Sequence, residues 1–239
     1  MNILITGGAG ALGKILASEF FHLGYNIYVI DKVPKNKIEQ KYLEMLKSYH
    51  EVDLSKIEQI EEYINYLNIN GINIDVLINN AAVRDFKLFF EFSEEDVFKN
   101  IKANFEAPLF LTRKLLPKMI QNNFGRIINI SSISGLIGYL SGTLYCSTKS
   151  ALITYTEALA KDLGNLNKNI TVNAILPDSF LTREGKKLKN YTYITDKIIF
   201  FINEFVSSNS NGKVKIVSPL KNRIMIFLKV TYNNFIKIL

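Results

Sequence analysis

The sequence predicts an α/β protein with a doubly wound parallel sheet of about seven strands and helices on both faces. Short apolar runs rich in β-branched residues alternate with longer segments of helical spacing along residues 1–217, as in repeated strand–helix–strand units. Glycine, proline or polar residues follow most of the apolar runs directly. Because the carboxyl ends of parallel strands share one edge of the sheet, these residues are expected to lie close together.

Each element can be placed on the chain. The apolar runs predict strands at residues 2–6, 26–30, 49–52, 74–78, 125–130, 170–176 and 214–217. Helical spacing predicts helices at residues 14–21, 56–68, 104–121 and 143–163, a short one after Asp31, one opening at Ser93 and one starting near Asp196. Two helix starts have the spacing of a capping box, which pairs Ser55 with Glu58 and Ser93 with Asp96.

Glycines stand between the first strand and the first helix. Residues 7–13 read Gly-Gly-Ala-Gly-Ala-Leu-Gly and follow Thr6 directly. Glycine permits a tight turn and lets backbone N–H groups approach a pyrophosphate, and the positive end of the helix dipole favours that anion. The strand–glycine–helix order therefore predicts a dinucleotide-binding loop.

The second predicted strand leads into Asp31. A carboxylate at this position accepts hydrogen bonds from both hydroxyls of an adenosine ribose and repels a 2′-phosphate. Lys32 offsets part of that repulsion, but the glycine loop holds no basic residue. NAD is therefore favoured over NADP as the cofactor. The alternative interpretation is that Asp31 only caps a turn.

A tyrosine, a lysine and a serine form the candidate catalytic group. Tyr145 and Lys149 are four residues apart on a predicted helix, and Ser132 lies 13 residues before the tyrosine, after the fifth strand. A phenol ionises near pH ~10, and a positive charge one helical turn away lowers that pKa. The Ser132 hydroxyl could steady a carbonyl or an alcohol. This combination suits proton transfer coupled to hydride transfer.

The composition argues against several other classes. The chain has no apolar run of the ~18 residues that a membrane-spanning helix needs. Two histidines and one cysteine give no metal-ligand cluster, so no metal is expected. A single cysteine, Cys146, excludes an internal disulfide and fits a reducing compartment. We therefore expect a cytoplasmic protein.

Together these motifs resemble the short-chain dehydrogenase/reductase family in its compact branch, whose fold is Rossmann-like. The resemblance covers residues 1–182 and rests on Thr6, Gly7, Gly13, Asp53, Leu54, Asn79, Asn80, Ala81, Asn104, Ser132, Tyr145, Lys149, Pro177 and Thr182. It implies an oxidoreductase that transfers a hydride between NAD(P) and a small carbonyl or secondary alcohol. It also implies a homo-dimer or homo-tetramer.

The resemblance implies a role for each matched position. Tyr145 is the general acid or base, Lys149 lowers its pKa and binds the nicotinamide ribose, and Ser132 polarises the carbonyl. Asn104 holds a water in a proton relay. Asp53 contacts the adenine amino group, and Thr182 contacts the carboxamide. The full set of expected cofactor contacts is Thr6, Gly7, Gly10, Ala11, Leu12, Gly13, Asp31, Asp53, Leu54, Asn79, Ala81, Tyr145, Lys149, Pro177 and Thr182.

The sequence departs from the family pattern at a few positions. Ala11 replaces the middle glycine of the compact branch, and Gly10 stands one position earlier, so the glycine spacing resembles the extended, sugar-nucleotide branch. Ala82 and Asp178 stand where glycine is usual. Two alternatives therefore stay open, a nucleotide-sugar dehydratase or epimerase and a non-catalytic NAD-binding regulator. A partly hydrophobic substrate is suggested by the apolar residues Leu136, Ile137, Tyr139, Leu140 and Phe180.

Positive charge is concentrated near the C-terminus. Residues 183–239 carry 11 Lys and Arg against 3 Asp and Glu, a net charge of +8, whereas residues 1–182 have a net charge of −1. We expect one domain over residues 1–239, in which 183–219 form a short substrate-side segment with the last strand. Residues 220–239 would form a basic helix packed on this subunit or a neighbour. Contact of this helix with an anionic membrane is the less favoured alternative, and no nucleic-acid-binding module is recognisable.

Overall fold

The computed structural model describes residues 1–166, 168–179, 189 and 191–219. Seven strands in this part of the chain form one sheet, and they are β1 Asn2–Thr6, β2 Asn26–Asp31, β3 Ser48–Glu51, β4 Val76–Asn79, β5 Gly125–Ile130, β6 Ile170–Pro177 and β7 Val214–Val217. The α-helices are α1 Ala11–His22, α2 Gln40–Leu43, α3 Ile57–Ile69, α4 Glu94–Ile101, α5 Ala107–Gln121, α6 Thr143–Gly164 and α7 Tyr191–Ser207. The α/β prediction is confirmed.

All neighbouring strands are parallel, in the order β3-β2-β1-β4-β5-β6-β7. The chain builds outward from β1 to β3, returns to the middle, and then builds outward from β4 in the opposite direction. The connections that leave β1 and β4 therefore diverge and open a crevice at the carboxyl ends of these two strands. Ligands bind at such a switch point in open α/β sheets.

Side chains of each strand alternate between the two faces of the sheet. Ile3 and Ile5 of β1 pack with apolar residues of α1 and α7, whereas Leu4 between them packs with residues of α3 and α5. Helices therefore cover both faces, and the inner strands are buried on both sides. This explains why the inner strands are mainly apolar runs in the sequence, whereas the edge strand β3 is not.

Several boundaries differ from the sequence-based expectation. The helix opened by Ser93 is confirmed, since Ser93 Oγ accepts a hydrogen bond from the Asp96 N–H and the Asp96 carboxylate accepts one from the Ser93 N–H. The prediction of a capping box between Ser55 and Glu58 is wrong. Residue Lys56 occupies the N-cap of α3 without a side-chain bond, because the Ser55 hydroxyl donates to Asp53 at 2.7 Å instead. Helix α7 begins at Tyr191, before the predicted start near Asp196.

Some predictions concern residues outside the described ranges. They are Thr182 as a nicotinamide contact, Phe180 as an apolar flank and the basic helix at 220–239. Within the described ranges, none of the helices is both long and apolar enough to cross a bilayer.

Candidate active site

A cleft with a volume of about 750 Å³ lies at the carboxyl ends of the strands. It is lined by most of the site residues expected from the sequence, which are Gly7, Gly10, Ala11, Leu12, Gly13, Asp31, Asp53, Leu54, Ala81, Ser132, Tyr145, Lys149 and Pro177. Thr6, Asn79 and Asn104 are also buried close to this edge of the sheet, but they do not line the cleft. The fold thus brings together residues spread over more than 170 positions of sequence.

The glycine loop is shaped by close backbone contacts. Gly7 has a φ of +65°, and a Cβ atom there would lie 2.7 Å from Ala81 Cα. A Cβ on Gly13 would lie 2.3 Å from the Gly7 carbonyl oxygen. Both distances exclude a side chain. The first N–H groups of a helix have no partner within it, and in α1 these groups belong to residues that line the cleft. The loop therefore fits the pyrophosphate of a dinucleotide.

Side chains from two other elements hold this loop. Asp31 accepts a hydrogen bond from the Ala9 N–H at 2.9 Å and another from the Val33 N–H at 3.0 Å. The Tyr42 hydroxyl of α2 donates to the Gly8 carbonyl at 2.6 Å. Tyr42 was not expected from the sequence, because it is one aromatic residue in a polar, Lys-rich segment. Asp31 thus supports the loop as well as lining the cleft.

The ends of β1 and β4 are joined by side-chain hydrogen bonds. Thr6 Oγ1 accepts from the backbone N–H groups of Asn80 and Ala81, each at 3.0 Å. The Asn80 amide donates back to the carbonyls of Thr6 and Gly7. Asn79 points beneath the cleft, where its amide donates to Asn129 Oδ1 at 2.8 Å. Thr6 and Asn79 therefore stabilise the strand ends beneath the site and do not line the cleft.

The catalytic candidates meet where β5 ends and α6 begins. Lys149 is only 2% exposed, and its Nζ atom donates to the Ile130 carbonyl at 2.8 Å. The same Nζ atom lies 5.7 Å from the centre of the Tyr145 ring. Ser132 begins the turn at Ile133–Gly135, and its Oγ accepts from the Ser134 N–H at 3.1 Å. All three side chains reach the same cleft.

Burial dominates the ionisation of this group. It raises the pKa of Tyr145, whereas a hydrogen bond with Ser132 and the positive charge of Arg84 act in the lowering direction. Burial also lowers the pKa of Lys149 to about 8. Burial outweighs the lowering effects of Ser132 and Arg84 on the Tyr145 pKa. The lowering of that pKa by Lys149 stays a prediction, and in this structure Lys149 Nζ donates a hydrogen bond to the Ile130 carbonyl.

Asn104 lies in a π-helical turn, Lys102–Glu106, between α4 and α5. Its side chain is fully buried. The Oδ1 atom accepts from the Val83 N–H at 2.7 Å, and Nδ2 donates to the Val83 carbonyl at 2.9 Å and to Thr148 Oγ1 at 3.2 Å. Asn104 therefore fixes the segment after β4 against helix α6. The proton-relay water stays a prediction.

The substrate side of the cleft contains residues that sequence reasoning missed or misplaced. Arg84 and Phe86, after β4, line the cleft and were not expected. Of the proposed apolar flanks, Tyr139 lines it, but Leu140 is 81% exposed and does not. Asp178 also lines the cleft, and its carboxylate accepts a hydrogen bond from the Ser218 hydroxyl.

Fold and site together define a Rossmann-type oxidoreductase with a dinucleotide loop and a Ser–Tyr–Lys group in one cleft. The family model described as short chain dehydrogenase matches residues 1–191. The chain belongs to this family, and a nicotinamide cofactor fits its cleft.

Known relatives agree with this assignment. The 3-oxoacyl-[acyl-carrier-protein] reductase of Rickettsia felis is 33% identical over 175 residues, which cover 73% of this chain and 70% of the relative. The same enzyme from Aquifex aeolicus is 33% identical over 186 residues, covering 73% and 71%. Among solved structures, a 4-hydroxyisoleucine dehydrogenase complexed with NADH superposes with a TM-score of 0.81 at 25% identity, covering 91% of this chain and 96% of that one. ElxO with bound NADP gives 0.76 at 28% identity, covering 90% and 96%.

Proposed function

We propose that this enzyme reduces a carbonyl, or oxidises the corresponding secondary alcohol, with Tyr145 as the general acid and base. The observation that carries the proposal is the convergence of Tyr145, Lys149 and Ser132 in the cleft that also holds the glycine loop. The names of the relatives, a 3-oxoacyl reductase and a 4-hydroxyisoleucine dehydrogenase, describe this interconversion. They do not favour the nucleotide-sugar alternative.

The residues divide the chemistry between them. A bound nicotinamide supplies the hydride in reduction and accepts it in oxidation. In reduction, the Tyr145 hydroxyl donates its proton to the carbonyl oxygen as negative charge develops there. The Ser132 hydroxyl donates a hydrogen bond to the same oxygen and stabilises that charge. In oxidation the phenolate takes the proton back from the alcohol.

The ionisation of the site supports the acid role of the tyrosine. A raised pKa keeps the Tyr145 phenol protonated at neutral pH, which is the form needed for reduction. Lys149 has a pKa of about 8, so it carries a positive charge in most molecules at pH 7. That charge would stabilise the phenolate left after proton transfer.

We further propose NAD as the preferred cofactor. Asp31 ends β2 beside the glycine loop and lines the cleft. Each carboxylate oxygen accepts one backbone hydrogen bond and has capacity for another, so a ribose hydroxyl can still bind. The Asp31 carboxylate would repel the 2′-phosphate of NADP. The ammonium group of Lys32, which also lines the cleft, would offset part of that repulsion. The homo-oligomer implied by the family resemblance stays a prediction.

The test is a turnover assay on ketones and secondary alcohols, including the N-acetylcysteamine thioester of a 3-oxo acid, followed by the absorbance of NADH and NADPH. Tyr145→Phe should lower kcat by about 10²- to 10⁴-fold, while the dissociation constant of NADH stays close to that of wild type. NAD should support higher kcat/KM than NADP.

Tyr155→Phe is the matched control, because it removes a hydroxyl from the same helix at a residue that does not line the catalytic cleft. It should leave kcat unchanged. Full turnover by Tyr145→Phe would refute the acid–base role. A wild-type protein that binds NADH and converts nothing on the panel would favour the non-catalytic regulator instead.

A further inference from the structure

Arg84 brings a positive charge to the substrate side of the cleft. It follows β4 by five residues, is exposed, and lines the same cavity as Tyr145. Its guanidinium carbon lies 5.2 Å from the centre of the Phe86 ring, and that ring lies 6.3 Å from the Tyr139 ring. The guanidinium thus rests on an aromatic wall that extends along the cleft.

The backbone next to Arg84 is fixed. Both polar backbone groups of Val83 are bonded by the buried Asn104 side chain, at 2.7 and 2.9 Å. Asn104 in turn bonds Thr148, which precedes Lys149 on α6. The segment that carries the guanidinium is therefore tied to the helix that carries the catalytic tyrosine. Such anchoring lowers the entropy lost when a side chain binds a ligand.

The positive charge of Arg84 acts on the Tyr145 phenol. Its Coulombic effect on Tyr145 lowers the pKa of that phenol, against the larger effect of burial. Arg84 and Tyr145 line the same cavity, so one ligand can contact both side chains. A planar guanidinium has paired N–H donors that match the two oxygens of a carboxylate.

We propose that Arg84 binds the carboxylate of the substrate, and that the substrate is a 2- or 3-hydroxy acid or the corresponding oxo acid. This inference rests on the proposed hydride transfer and assigns the substrate class to the same site. The carbonyl or alcohol carbon lies at Tyr145 and Ser132, the carboxylate lies on Arg84, and the remaining carbon chain packs on Phe86 and Tyr139. A neutral ester or thioester at the same position makes no use of the charge.

The test compares short 2- and 3-hydroxy acids with their methyl esters, assayed as pairs by NADH formation. Wild type should show higher kcat/KM for the acid of the preferred pair. Arg84→Met should lower kcat/KM for that acid by about 10- to 100-fold, as expected for a charge-assisted hydrogen bond, and change the ester by less than about threefold. Arg84→Lys keeps the charge and should recover part of the preference.

Lys87→Met is the control, since it removes one positive charge from the same segment at a residue that does not line the cleft and that pairs with Asp96 at 2.9 Å. It should keep the preference for the acid. The dissociation constant of NADH, measured for each variant, shows that the fold is retained. Equal loss of acid and ester turnover in Arg84→Met, or a wild type that prefers esters, overturns the inference while leaving hydride transfer intact.

A second measurement does not depend on turnover. Calorimetric titration of the protein–NADH complex with the same hydroxy acids should show binding in wild type and a loss of about 10- to 100-fold in Arg84→Met. If no panel member is converted but this binding difference is found, the proposed reaction fails and the carboxylate site stands. If neither conversion nor binding is found, both fail.

Discussion

The two ends of the cleft are built in different ways. The nucleotide end, which we define as residues 2–31 with β1, the glycine loop, α1 and β2, is shaped mainly by backbone contacts too close for a side chain. The substrate end, defined as residues 83–93 together with Tyr139 and Asp178, is shaped by side chains on irregular backbone. Close backbone contacts restrict a position to glycine, whereas a surface lined by side chains can be formed by many different residues.

The largest expected effect is at the nucleotide end. Gly13→Ala places a Cβ atom 2.3 Å from the Gly7 carbonyl oxygen and 2.6 Å from Gly8 Cα, and both neighbours are backbone. The loop must move, so its N–H groups no longer converge on a pyrophosphate. We expect NADH affinity to fall by about 1,000-fold, or about 4 kcal/mol, as measured by fluorescence titration.

A glycine outside the loop provides the control. Gly24 also has a positive φ, of +81°, but a Cβ there meets no atom within 4 Å. Gly24→Ala should destabilise the protein by about 1 kcal/mol through backbone strain and leave NADH affinity unchanged. An equal loss of affinity in both variants would mean that general destabilisation, not loop geometry, controls cofactor binding.

The same contrast explains what could be predicted from the sequence. The parallel sheet, the glycine loop and the Tyr145–Lys149 pair follow from periodicity and spacing, because burial on both faces and close backbone approach leave few alternatives. Arg84 and Tyr42 could not be found in this way, since neither belongs to a periodic pattern. Ser55 and Ser93 have the same capping spacing, yet Ser55 is bonded by Asp53, a local competing partner two residues earlier in the chain.

A second prediction concerns Lys149, where the two ends of the cleft meet. Burial lowers its pKa from 10.5 to about 8. Between these values the unfolded chain holds a proton that the folded protein has released, so this lysine makes stability rise with pH. Below pH 8 both states are protonated and the penalty is constant. Relative to Lys149→Met, wild type should gain about 3 kcal/mol across this window.

The measurement is urea unfolding of the cofactor-free protein at a series of pH values. Lys161→Met is the matched control, because Lys161 is an exposed lysine on the same helix. Any pH dependence that Lys149→Met shows and Lys161→Met does not comes from the buried ammonium. A flat difference for Lys149→Met would show that this ammonium does not titrate in this range, and that its hydrogen bond to the Ile130 carbonyl stabilises the charged form.

The smallest expected effect is at the substrate end and tests whether the two ends are independent. Ser93→Ala removes the oxygen that accepts the Asp96 N–H at the start of α4, so unfolding free energy should fall by about 1 kcal/mol. Ser93→Asn keeps a capping acceptor and should recover most of the loss. NADH affinity should not change in either variant, because Ser93 does not line the cleft. If Ser93→Ala weakens NADH binding as strongly as Gly13→Ala, the two ends of the cleft are not independent. They then form one cooperative unit.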